Sequence, residues 1–241
     1  MAPALAAGLL IALTHSMLGI KVLERGIVFI DLAIAQIAGL GLIVAHIFLP
    51  EYGWAAQIVA LLFAAFAGIF FYYIEKIAPE IQEAIIGCSF VLAASIGILI
   101  LADHPHGSDE IKHLLSGQIL FVTFSDIWHH IPAYLLTVIL WFCCPKIRNN
   151  IGFYLIFALA ITSSVQLVGI YVVFASLILP AIAARGHKNP LIISWICGIM
   201  SVICGVILAT IFDLPAGVII VISYFAISCL MIIVTALLNR Q

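Results

Sequence analysis

Charge is what this sequence has least of. Only 8% of its 241 residues are Asp, Glu, Lys or Arg, nine basic and eleven acidic, while 66% are apolar or aromatic. A soluble domain carries roughly a quarter of its residues as charge, so the balance excludes a water-soluble globule, a nucleic-acid binder and a disordered chain together. Cysteine is scarce and scattered. Its six copies lie in apolar runs with no C-x-x-C pair, which reads as small core- or lipid-facing residues and not as a disulfide framework or zinc site. No G-x-x-x-x-G-K-[ST] loop is present, so ATP-driven work needs a separate subunit. The absence of H-E-x-x-H and G-x-S-x-G counts against an intramembrane hydrolase. The first twenty residues have no basic leader and no small-residue cleavage site, and read as a first span.

What remains is a set of long apolar runs. A span needs about 20 predominantly apolar residues. The runs predict an all-α polytopic membrane protein of eight to nine transmembrane helices near 3–20, 27–49, 55–74, 84–102, 129–144, 151–166, 170–184, 191–211 and 217–238. With no internal repeat, low-complexity segment or linker, residues 1–241 read as a single transmembrane domain.

The stretch 151–184 holds 34 residues without a charge. As one helix it would be about 51 Å long against a hydrocarbon core of about 30 Å. Two short helices broken near Gln166 and Gly169 instead put Lys146, Arg148, Arg185 and Lys188 on one side. Lys21, Arg25, Lys76 and Arg240 then share that face, and only Lys112 lies opposite. Such asymmetry marks the cytoplasmic side. The expected orientation has the N-terminus outside and the C-terminus inside, with the connection Asp103–Trp128 outside.

An ionisable group inside a span faces a cavity or a partner, because the bilayer penalises it otherwise. His15 lies six residues before Lys21, and Asp31 six after Arg25. On antiparallel neighbouring helices they fall at similar depth, where imidazole and carboxylate make a divalent-metal pair. A structural hydrogen bond, or an Asp31–Arg25 ion pair, is the plainer reading. His46, close to Pro50, reads as interfacial, and His129–His130 beside Trp128 as an anchor of the fifth span. The outer connection gathers His104, His106, Asp109, Glu110 and His113. Those side chains suit a metal, yet a solvated loop explains them as well. Gly39, Gly41, Gly87 and Gly97 read as points of close helix approach. Pro180 interrupts the seventh span.

Four stretches, LGIKVLERGIVFIDLAIAQIAGLG, EAIIGCSFVLAASIGILIL, HLLSGQIL and VQLVGIYVVFASLILPAIAA with FDLPAG after it, occur in an order that resembles the permease subunits of bacterial ABC importers for zinc, manganese and iron. The resemblance implies a paired permease in the bacterial inner membrane, a second copy forming a homodimer, a separate cytoplasmic ATPase and an extracytoplasmic metal-binding protein. It implies no bound cofactor and a divalent cation as cargo, with zinc expected and manganese and iron as alternatives. Asp31 matches the first residue of the family's Asp-x-x-x-His pair, but the fourth residue on is Ala35, followed by Gln36. Asp31, His15 and Gln36 are the expected pathway residues, with His104, His106 and His113 as outer-loop candidates. The family also carries a cytoplasmic coupling helix between spans 5 and 6, where this chain has only PKIRNN. ATPase contact is therefore expected elsewhere, at Glu80, Glu83, Arg185 and Lys188, or coupling is lost and the chain is an ATPase-independent channel or carrier. An intramembrane metal-dependent enzyme using His15, Asp31 and His46 is the outlying alternative.

Overall fold

Helix is the only spanning structure a chain this apolar can form without a closed barrel, since every backbone N–H and C=O must then be paired within its own segment. The computed structural model describes residues 1–48, 53–102, 117 and 119–238, and among them there are nine α-helices and no strand. Seven of the helices are long and apolar enough to cross a membrane. The described residues pack as two compact units, drawn from 1–25, 116–129 and 167–241 and from 26–115 and 130–166.

The first unit holds α1 (Ala2–Arg25), α7 (Ile170–Ala183), α8 (Pro190–Ile211) and α9 (Ala216–Leu238). Small residues let its backbones approach closely, the usual basis of helix association where no hydrophobic effect separates protein from lipid. Gly8 of α1 faces the Val202 side chain, Ala12 meets Gly198, and Gly19 abuts the Leu177 carbonyl. A methyl group at Gly205 would lie 2.8 Å from the Ile220 Cα, so α8 and α9 are as tightly joined.

The second unit holds α2 (Ile30–Phe48), α3 (Gly53–Ile77), α4 (Gln82–Leu101) and most of α5 (Phe124–Cys143) and α6 (Ile151–Val168). Gly41 packs on Ala60 and Phe63, and Gly68 on the Tyr154 carbonyl. The expected close approach at Gly87 is not found: nothing lies within 4 Å of a methyl group built there. On the outer faces Phe66 and Leu99 are more than 70% exposed, the surface that lipid covers.

Two boundaries carry information. α5 starts at Phe124, five residues before the expected 129, because Thr123 and Asp126 form a reciprocal cap: the Thr123 N–H and hydroxyl both donate to Asp126 Oδ2 at 2.8 Å, and the Asp126 N–H donates back to Thr123 Oγ1. The uncharged stretch 151–184 is indeed broken, at Gly169, whose φ of +79° no helix accommodates.

Candidate functional site

Gly26, at φ +71°, ends α1 and turns the chain through Ile27–Phe29 into α2. Asp31 is the second residue of that helix, where unpaired N–H groups and the helix dipole favour negative charge. Its side chain is 1% exposed. Neither carboxylate oxygen makes a hydrogen bond of good geometry with the described residues, and only the N–H groups of Asp31 itself and Leu32 turn toward it. A buried carboxylate left so is costly and calls for a countercharge.

A second acid reaches the same turn from α4. Glu83 Oε1 accepts the Phe29 N–H at 3.0 Å, closing the start of α2, and its Oε2 is buried without a hydrogen-bond partner of good geometry. The approach of α4 is fixed by the preceding residue. Gln82 is buried and donates through Nε2 to the Phe71 carbonyl at 3.3 Å and to the Tyr154 hydroxyl at 3.0 Å, tying α4 to α3 and α6. Glu83 is also one of the four expected ATPase contacts. The structure turns its carboxylate inward, onto the start of α2.

Gln36 lies on α2 with a buried, unpartnered Oε1. Five residues on from Asp31, it stands about 140° further round the helix axis, on a different face. Ala35, one turn from Asp31 on its own face, offers no ligating atom.

His15 belongs to the first unit and Asp31 to the second. The imidazole is fully buried, with Nδ1 2.7 Å from Ser176 Oγ. Ser176 donates its own hydroxyl to the Val173 carbonyl at 2.9 Å, so the ring nitrogen is the donor in the first bond and carries the proton. His15 thereby ties α1 to α7.

The other candidates stand apart. Glu80, Arg185 and Lys188 are exposed in the connections between helices, and His46 is exposed near the end of α2. His129 is exposed and bonds the Ser125 carbonyl, while His130 bonds Ser163 at 2.8 Å. His104, His106, Asp109, Glu110 and His113 lie outside the described residues. No group of three or more His, Cys, Asp or Glu able to hold a metal occurs among the described residues.

The geometry is therefore that of a polytopic helical protein with a buried carboxylate, Asp31, left without a good hydrogen bond at the start of a span. The model of the ABC 3 transport family matches it over residues 1–149 and 145–236. The chain belongs to the ABC 3 transport family. As a member of that family it is a multi-pass membrane protein. Among curated relatives, the manganese transport system membrane protein MntC of Halalkalibacterium halodurans is 24% identical over 237 positions, 89% of this chain and 80% of its own length. An uncharacterized membrane protein of Synechocystis, slr2045, is 26% identical over 227 positions, 86% of this chain and 79% of its own. Among solved structures, PsaBC from Streptococcus pneumoniae in complex with Fab aligns at a TM-score of 0.74 and 21% identity, over 95% of this chain and 90% of that one, which establishes a shared fold.

The two stretches that match the ABC 3 family overlap at 145–149, where the chain makes a single 3-10 helix, Pro145–Asn149. Arg148 closes this link. Its Nε and Nη2 donate to the Trp141 carbonyl at 3.0 and 2.7 Å, and its guanidinium lies 5.1 Å from the Trp141 ring centre. The match to MntC runs over more positions than the residues it takes in here, so MntC carries residues within it that have no counterpart in this chain.

Proposed function

We propose that the chain is the membrane-spanning permease subunit of an importer for a divalent metal cation, and that Asp31 meets the cation on its way across. The observation that carries this reading is the Asp31 carboxylate: buried, without a good hydrogen-bond partner, at the start of a span in an ABC 3 family member. A doubly charged ion with vacant coordination sites would supply the missing countercharge. Manganese is favoured over zinc as cargo, because carboxylate oxygen suits the harder ion and the relative MntC is named for manganese transport. Zinc remains the competitor that the test must include.

Uptake of radiolabelled Mn2+ into cells lacking their own manganese importers, with Zn2+ as competitor, tests the reading. Wild-type chain restores uptake and Asp31→Asn abolishes it at equal expression. Uptake by Asp31→Asn at the wild-type rate would refute the role given to Asp31.

In this reading the permease works as a pair of copies in the bacterial inner membrane, N-terminus outside, and a separate cytoplasmic ATPase drives alternating access. An extracytoplasmic binding protein delivers the ion. The exposed Glu80, Arg185 and Lys188 are the proposed ATPase contacts. A second reading, transport down the cation gradient without an ATPase, draws support from the closed link Pro145–Asn149, where the family match divides and the chain has room for only one short turn. Uptake into proteoliposomes containing the permease alone separates them: gradient-driven accumulation supports the second reading, and a strict need for an added ATPase and ATP supports the first.

A further inference from the structure

The start of α2 holds two acids where one would suffice for a helix cap. Glu83 reaches across from α4 and uses only Oε1 to accept the Phe29 N–H, at 3.0 Å. Its other oxygen is buried and makes no hydrogen bond of good geometry with the described residues. Asp31, two residues beyond Phe29, is 1% exposed, and both its oxygens are in the same condition. Both acids thus stand at the same turn, Glu83 on the Phe29 N–H and Asp31 in the first turn of α2.

Two buried like charges in a low-dielectric setting repel, and each also carries the cost of desolvation. A structural role for Glu83 as a cap explains Oε1 alone. It does not explain a second buried oxygen without a hydrogen bond of good geometry, near a carboxylate that has only its own N–H and that of Leu32 turned toward it. An ion of opposite charge resolves both.

We infer that Glu83 is the second carboxylate ligand of the transported cation, sharing the ion with Asp31 through Oε2 while Oε1 holds the first turn of α2 in place. This rests on the reading of Asp31 as a cation ligand. The ligand set it adds is oxygen only, which suits Mn2+ and discriminates less well in favour of Zn2+ than a set with imidazole. It also assigns Glu83 a task that ties the start of α4 to cargo.

Glu83→Gln separates the two roles, because the amide Oε1 still accepts the Phe29 N–H while the charge is gone. The full-length chain, purified in detergent, is titrated with Mn2+ and free ion followed by electron paramagnetic resonance, with thermal unfolding measured alongside. The expected result is at least a tenfold loss of Mn2+ affinity in Glu83→Gln with an unchanged melting temperature, and a smaller loss in Glu83→Asp, which keeps the charge but shortens the reach. Wild-type affinity in Glu83→Gln, with affinity lost in Asp31→Asn, would leave Glu83 as a cap only and overturn the inference while sparing the reading of Asp31. Wild-type affinity in Asp31→Asn would overturn that reading, and with it any sharing of the ion.

Discussion

His15 and Asp31 are both ionisable, both essentially inaccessible and both within apolar helices, yet their surroundings differ in kind. His15 donates to Ser176, which donates in turn to the Val173 carbonyl, and one helical turn away Gly19 lets α1 press against the Leu177 carbonyl. Asp31 has no such chain, and one turn beyond its neighbour Glu83 stands Gly87, with nothing within 4 Å of a methyl group built there. The first group is hydrogen-bonded into the packing of its unit; the second is as deeply buried but without a hydrogen bond of good geometry. Burial alone therefore does not mark a functional residue in a membrane protein. Failure to satisfy a buried polar group is the sharper signal, because such a group carries a cost that packing does not repay.

The comparison is open to attack at four points. The largest effect is expected at Asp31→Asn, which should reduce cation uptake at least tenfold while leaving expression and thermal unfolding close to wild type; a collapsed melting temperature would make Asp31 scaffold after all. Gly19→Ala should act the opposite way, because its methyl group runs into the Leu177 backbone. A cost of about 1–3 kcal/mol is expected, read as a lower melting temperature with uptake per folded molecule preserved. Ser176→Ala removes the acceptor of the 2.7 Å bond from His15 and should cost about 1 kcal/mol, again without loss of uptake per folded molecule. Should His15→Ala or Ser176→Ala slow uptake by folded protein, the imidazole belongs to the transport pathway and the contrast fails. The smallest effect is expected at Gly87→Ala, where open space and the gain in helix propensity predict neutral to slightly higher stability, by up to about 1 kcal/mol.

Much of the fold was legible in the sequence because long apolar runs and charge placement obey bilayer thickness. The break in 151–184 followed from its length and from the basic residues that flank it, and the structure puts it at Gly169. The start of α5 was missed because Thr123 and Asp126 read as loop residues; their reciprocal capping makes the polar stretch helical. The burial of Asp31 was legible because a carboxylate in a span has few places to go but the protein interior. Its neighbour was not: Phe29 and Glu83 are 54 residues apart, and a Glu four residues after Pro79 looks solvated. The bond from His15 to Ser176 spans 161 residues, and a serine in an apolar run gives no sign of its partner. Gly87 shows the converse error, since a glycine's spacing does not reveal whether another helix stands beside it.

Gly169 bears on biogenesis before it bears on transport. Its left-handed backbone is all that divides α6 from α7. With a residue that prefers right-handed helix there, the insertion machinery would receive one uninterrupted segment of about 50 Å, well beyond a hydrocarbon core of about 30 Å. A single glycine thus decides that the insertion machinery meets two short apolar segments in place of one overlong segment.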